Sequence, residues 1–352
     1  MIQRLLAELA EGKIAALARA VSVVENHRPG YETILATLHS KLGRARRLGI
    51  TGPPGAGKST LTTALVRELR TSGHSVAIIA VDPTSPFTGG ALLGDRIRME
   101  SIALDSGVFI RSMATRGSLG GLASSTREVA DVLDGFGFDR IVIETVGVGQ
   151  SELDIARTAD SSVVVLVPES GDSIQMLKAG LMEIADIFVV NKSDRPGADR
   201  LRTEIELMLG LRGGHTMKNV PAHHGVDLKQ RNPAKIARAE GARDDPEKWT
   251  PPVLPATASK GEGVTDILSA VDRHFHYLET SGTLRQRRRR RLRERVVDVV
   301  EQTVRTRLWR DEATNAWIDG WLPELEGGSA TPFDVANQLL SRSGNLLTGT
   351  SR

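Results

Sequence analysis

The chain has 352 residues, of which 40% are apolar, 25% charged and only 4% aromatic, with a formal net charge of +3. These fractions exclude wholesale disorder and collagen-like repeats, and no run of 18 apolar residues offers a membrane-spanning helix. With no cysteine there are no disulfides, thiolate zinc sites, iron–sulfur clusters or cysteine nucleophiles.

Residues 1–44 read as a helical extension, with Leu5, Leu6, Leu9, Ile14, Leu17, Ile34, Leu35 and Leu38 at helical spacing. Arg28-Pro29-Gly30 interrupts the pattern, which predicts at least two helices. Glu8 and Glu11 fall inside the first apolar stretch, which a signal peptide does not tolerate, so a cytoplasmic chain is expected. From residue 45 the text changes to short β-branched runs separated by helical patterns. The runs are Leu48–Thr51, Ser75–Val81, Val108–Met113, Arg140–Glu144, Ser162–Val167, Ile187–Val190 and Val253–Ala256. Each is almost entirely apolar, as in strands buried on both faces. The alternation predicts a doubly wound α/β domain over 45–281, its mostly parallel sheet binding ligand at the carboxyl ends of the strands. Residues 212–250 read as a helix and loops inserted before the last strand.

The tail, 282–352, is predicted helical and too small for a core of its own. Residues 285–310 carry eleven Arg against Glu294, Asp298 and Glu301, a local charge of +8, so the rest of the chain sums to −5. No aromatic residues interleave with the Arg run from Arg285 to Arg295, which favours a solvated or acid-paired helix face over nucleic-acid binding. Trp309, Trp317 and Trp321 are expected in packing or in a seam between two copies of the chain, and the last helix follows Pro332.

Gly52-Pro53-Pro54-Gly55-Ala56-Gly57-Lys58-Ser59 is a complete phosphate-binding loop between a predicted strand and helix. Its glycines let backbone N–H groups converge on phosphate oxygens, and the helix N-terminus adds positive potential. Lys58 is expected at the β- and γ-phosphates and the Ser59 hydroxyl on Mg²⁺, with Thr60 next to them in the nucleotide site. Asn191-Lys192-Ser193-Asp194 ends a predicted strand 133 residues after Lys58. A carboxylate at Asp194 accepts from N1–H and the 2-amino group of guanine, a pair that adenine does not offer. Asn191 is expected at the N7/O6 edge and the Lys192 stem over the ring. Thr257-Ala258-Ser259-Lys260 stands where a G-protein places its last base loop, with the Ala258 N–H aimed at guanine O6.

Glu144-Thr145-Val146-Gly147 ends another predicted strand, where the carboxylate can support Mg²⁺ and the Gly147 N–H can sense the γ-phosphate. Small GTPases mostly carry Asp at the first of these positions. Asp82 ends the Ser75–Val81 run, and Asp95 lies in Gly94-Asp95-Arg96; each also suits a turn or helix cap. Val148 follows Gly147 where fast switches carry a water-orienting Gln, and Gln150 is displaced by two, so slow, partner-completed hydrolysis is expected.

Together with Val81-Asp82-Pro83-Thr84-Ser85-Pro86, Thr88 to Arg96, Arg111 to Gly117 and Glu144 to Ser151, these motifs resemble the MeaB/ArgK family of G-protein chaperones. That family serves adenosylcobalamin-dependent acyl-CoA mutases such as methylmalonyl-CoA mutase. The resemblance runs essentially end to end. It implies Mg²⁺-dependent hydrolysis of GTP to GDP, a homodimer through the C-terminal arm, and a mutase complex that gates cofactor loading and protects against inactivation. It marks Lys58, Asp82, Asp95 and Glu144 as catalytic or metal-site residues, with Ser59, Asp82 and Glu144 around the metal. It marks 82–99, 144–158 and 168–182 as switches; in the third this chain reads Pro168 to Gln175, where many members open with more glycine. Metal-insertion GTPases are the nearest alternative, and His223, His224, His274 and His276 are the available ligands. A kinase reading is disfavoured by Asn191–Asp194. No nucleic-acid or membrane partner is expected.

Overall fold

A computed structural model describes residues 1–83, 99–115, 121–145, 151–168, 180–212 and 249–342. They divide into two compact units, Met1–Arg285 and Gln286–Arg352.

In the first unit, helices α1 (Ile2–Ala10), α2 (Ile14–Glu25) and α3 (Tyr31–Leu38) precede β1 (Arg46–Thr51) and α4 (Lys58–Thr71). The N-terminal segment therefore breaks at Gly12 as well as at Arg28-Pro29-Gly30, because Gly12 takes a positive φ that closes the first helix. Next come β2 (Val76–Pro83), α5 (Glu100–Ala103), β3 (Val108–Thr115), α6 (Gly121–Phe136), β4 (Arg140–Thr145) and α7 (Ser151–Thr158). The unit continues with β5 (Ser161–Leu166), α8 (Met182–Ile184), β6 (Ile187–Asn191), α9 (Ala198–Arg212), β7 (Val253–Ala256) and α10 (Val264–Thr280). Every predicted strand is present to within two residues at either end. Their order is β3-β2-β4-β1-β5-β6-β7, and all the pairings are parallel rather than mostly so. The chain winds outward from β1 on one side to β3 and on the other to β7. The carboxyl end of β1 is thus where the winding reverses, the place where such sheets bind ligands.

Alternation along the strands divides the core. Leu48, Ile50, Ile78, Val142, Val163 and Val189 face one side, under Leu61 and Leu65 of α4 and Ile267 and Phe275 of α10. Ile79, Ile141 and Ile143 face the other, where Leu17 and Val21 of α2, Ile34 of α3 and Leu133 of α6 cover them. On that side the N-terminal helices and α6 share one apolar cluster with the strands. Phe188 and Val190 pack with Leu201 and Ile205 of α9 in a third cluster.

A buried ion network ties these layers to β1. Arg47 donates to Asp131 at 2.8 Å and to Asp134 at 2.9 Å, and its backbone N–H donates to Asp160 at 3.3 Å. Asp134 also accepts from the backbone N–H groups of Gly43, Arg44 and Ala45 at 2.9, 3.1 and 3.0 Å. Burial opposes the Arg47 charge, but the three carboxylates outweigh it and raise its pKa. At the same amino end of the sheet, on its other face, His274 is fully buried, with Nδ1 2.8 Å from the Ser161 hydroxyl and Nε2 3.3 Å from Asp186. Trp249 donates to the Asp186 carbonyl at 2.8 Å and packs on His274.

Helix α11 (Thr283–Arg310) leads into the second unit, with α12 (Glu312–Asp319), α13 (Leu322–Glu326) and α14 (Pro332–Arg342). Asp311 caps α12 by accepting from the Thr314 N–H at 2.8 Å, and Thr331 and Asp334 cap α14 reciprocally. The tail tryptophans are not core residues. Trp309 is 48% exposed, and Trp317 meets Trp321 edge-on under the Arg342 guanidinium.

Candidate functional site

The phosphate loop leaves β1 at Thr51 and enters α4 at Lys58. At its first position, Gly52 has φ +137°, and a Cβ there would stand 2.0 Å from the Val165 carbonyl oxygen on β5. At its last glycine, Gly57 has φ +83° as the cap of α4, and a Cβ there would stand 2.4 Å from Asn191 Nδ2. Only glycine fits either place, so the loop lies flat between β5 and the β6 loop. The Lys58 side chain is buried, and its ammonium donates to the carbonyls of Gly52 and Pro53 at 2.8 and 2.9 Å. It thereby braces the loop it belongs to.

β4 pairs with β1 so that Glu144 lies beside Ile50. That register delivers the Glu144 carboxylate to the N-terminus of α4, where it accepts from the Ser59 hydroxyl at 2.6 Å. Both groups are buried or nearly so. A hydroxyl and a carboxylate in contact form a hard oxygen donor pair, the chemistry that suits Mg²⁺. The longer Glu side chain, in place of the common Asp, spans the gap directly. Beneath them the Thr145 hydroxyl donates to Thr51 at 2.9 Å, and the Thr63 hydroxyl donates to the Ser59 carbonyl at 2.8 Å.

On the other side of β1, Asn191 ends β6. Its side chain is tied on both sides. The amide donates to the Ala56 carbonyl at 2.8 Å and its oxygen accepts from the Ala258 N–H at 3.1 Å. Asn191 therefore joins the phosphate loop to the Thr257–Lys260 loop, and the Ala258 N–H expected at guanine O6 is directed to Asn191. Asp194 is partly exposed, with Lys260 Nζ 3.0 Å from its carboxylate. That ammonium holds the Asp194 carboxyl below the usual carboxylate range. Ser259 lies in the 3-10 turn Ala258–Lys260 that presents this loop.

The sequence-predicted residues Gly52 to Thr60, Glu144, Asn191, Lys192, Asp194 and Ala258 to Lys260 all lie at the carboxyl end of the sheet. Asp82 is the penultimate residue of β2, paired in register with Ala114. Asp95, Gly147, Val148, Gln150, His223 and His224 lie outside the described residues. The hydroxyls of Thr51, Thr145, Ser193 and Thr257 escaped the sequence reading, although each lies in or next to a recognised motif.

This arrangement on an all-parallel doubly wound sheet is that of a P-loop GTPase. The profile described as "Methylmalonyl Co-A mutase-associated GTPase MeaB" matches residues 17–313, and the chain belongs to that family. It is 42% identical to a putative GTPase of Pyrococcus horikoshii, over 97% of this chain and 98% of that protein. It is 32% identical to the GTPase ArgK of Escherichia coli K12, over 94% of this chain and 93% of that one. It is 33% identical to the mitochondrial methylmalonic aciduria type A homolog of Mus musculus, over 96% of this chain and 79% of that one. A solved structure of an LAO/AO transport system kinase superposes with a TM-score of 0.64 at 26% identity, covering 96% of both chains. The chain is a GTPase. Among the described residues no helix is long and apolar enough to cross a membrane.

Proposed function

We propose that this GTPase is Mg²⁺-dependent and acts as a chaperone of an adenosylcobalamin-dependent acyl-CoA mutase such as methylmalonyl-CoA mutase, gating cofactor loading and protecting the enzyme. The observation that carries the reading is the Ser59–Glu144 pair beside the Asn191 junction, in a chain of the mutase-associated family. Ser59 and Glu144, with Asp82 at the end of β2, would hold Mg²⁺, which supplies charge neutralisation at the phosphates. Lys58 exchanges its loop carbonyls for β- and γ-phosphate oxygens, and with the loop N–H groups it offsets charge developing on the β–γ bridge as water attacks in line. Asp95 and the Gly147 N–H complete the γ-phosphate side. Asp194, Lys192 and Lys260 hold guanine, with Ala258 and Ser259 behind them.

Hydrolysis is slow alone and accelerated by the mutase, because Val148 stands where a fast switch has its water-orienting amide. The energy of the nucleotide then shifts the partner complex between two states of different affinity. The domains are a helical extension at 1–44, the GTPase at 45–281 and an arm at 282–352 that pairs two copies of the chain. The protein works in the cytoplasm with no nucleic-acid or membrane partner.

The test is Mg²⁺-dependent hydrolysis of GTP and of ATP, alone and with a purified adenosylcobalamin-dependent mutase of the same organism. GTP turnover that rises sharply with the mutase, with ATP inert, is the expected result. GTP turnover indifferent to every such mutase would remove the chaperone reading and leave the GTPase.

A further inference from the structure

The Asn191–Asp194 and Thr257–Lys260 loops are joined by more than the Asn191 amide. The Ser193 N–H donates to the Ala256 carbonyl at 2.9 Å, and the hydroxyl oxygens of Ser193 and Thr257 lie 3.2 Å apart. Thr257 is buried at 2% exposure, where a hydroxyl needs a partner. Between the two residues that make these ties, Lys192 has φ +56°, a left-handed conformation that costs a side-chain-bearing residue energy. Such a residue persists only where its surroundings over-determine it. Here they do, with Asn191 fixed on its N-terminal side and Ser193 on its C-terminal side.

Asp194 comes one residue later and has little else to place it. Its contact with Lys260 joins two side chains that are 41% and 55% exposed, and such pairs position weakly. The direction of the Asp194 carboxylate therefore follows from the backbone at Ser193. We propose that Ser193 and Thr257 form a hydroxyl clasp that positions Asp194 for the base, making the variable residue of the Asn-Lys-x-Asp motif a determinant of guanine selectivity. The clasp rests on the reading of Asp194 as the guanine partner. The two hydroxyls are turned to each other and act through Asp194, so both are positioning residues.

The 2-amino group is the part of guanine that inosine lacks, and it meets only Asp194 in this arrangement. A carboxylate displaced by a few tenths of an ångström loses more with GTP than with ITP. The experiment measures KM and kcat for GTP, ITP and ATP in the full-length protein and in Ser193→Ala, Thr257→Val, the double variant, Ser193→Thr and Asp194→Asn. Each single hydroxyl deletion is expected to raise KM for GTP about 3- to 10-fold, the range of one hydrogen bond. The value of kcat should stay within about twofold, and the preference for GTP over ITP should fall. Ser193→Thr should restore the wild-type values, and the double variant should be no worse than the worse single one.

Unchanged KM and an unchanged GTP-to-ITP ratio in both single variants, with selectivity lost in Asp194→Asn, would overturn the clasp and leave the base site standing. Equal losses with GTP and ITP, or fully additive losses in the double variant, would overturn it as well. Retained GTP-over-ATP selectivity in Asp194→Asn would remove the base reading and the clasp with it. If Thr257→Val does not fold, Thr257→Ser, which keeps the hydroxyl, takes its place and must match wild type while Ser193→Ala does not.

Discussion

Lys58 illustrates what a single residue contributes to this site. Its ammonium is buried and held by two carbonyls of its own loop, so the loop is preformed around a positive charge. Lys58→Ala removes both the brace and the charge proposed to face the β–γ bridge. GTP hydrolysis should fall by at least about 100-fold, as for loss of a preorganised electrostatic donor; turnover close to wild type in a phosphate-release assay would exclude the role. The lysine was legible in the sequence because its motif is contiguous and its chemistry needs only eight residues. Asn191 was legible as a motif member but not in the two contacts that join the loops. Its partners, Ala56 and Ala258, lie 135 and 67 residues away, and no local pattern says which way a side-chain amide turns. The Ser193–Thr257 clasp was hidden for the same reason: two ordinary hydroxyls gain meaning only when two loops meet.

Strands and helices were easier to read. Seven apolar runs could be placed because a strand buried on both faces has no other composition, and Gly and Pro mark the gaps. What sequence periodicity did not show is what the N-terminal helices are for. They join the apolar cluster on one face of the sheet, chiefly against α6, and two contacts pin them there: Arg111 to Glu25, and His27 Nε2 to Glu128 Oε2 at 2.7 Å. The Glu128 hydrogen bond raises the His27 pKa, burial opposes it, and the Glu128 charge adds to the rise. A raised folded-state pKa gives stability that is fully present below the ordinary histidine value of 6.5 and is lost as pH climbs through the higher folded value. The melting temperature of wild type minus that of His27→Gln should therefore shrink from pH 6 to pH 9. A gap that widens with pH would reverse the assignment. Asp134 anchors the same layer more firmly, since it accepts from three backbone N–H groups and from Arg47. Asp134→Ala leaves those donors buried and should destabilise the protein by about 3–5 kcal/mol. Urea unfolding reports this as a lower midpoint, and a variant as stable as wild type would contradict the network.

For the whole molecule the open matter is what covers the tail. Leu292, Val296, Val299 and Val300 of α11 recur at helical spacing and are each 46–64% exposed. A second copy of the chain is the proposed cover, in keeping with an arm too small for its own core. Light scattering at micromolar concentration should give the mass of a dimer for wild type. The pair Val296→Glu and Val300→Glu should give a monomer that still hydrolyses GTP. A monomeric wild type would refute the pairing.

The Asn191 junction also bears on how the protein comes into being. A chain emerging from the ribosome has its phosphate loop after about sixty residues, yet the base side waits for residue 191 and is not closed until the loop at 258 arrives. Domains form from the N-terminus during synthesis, and contacts this distant in sequence close late. If these loops hold the base as proposed, the nascent chain before they meet is expected to bind phosphate without a base preference. On that reading the choice of guanine is acquired in one step about three quarters of the way along the chain, when β7 joins the sheet beside β6 and the Thr257–Lys260 loop reaches Asn191. A ribosome-bound chain stalled before residue 250 should accordingly bind ATP and GTP alike.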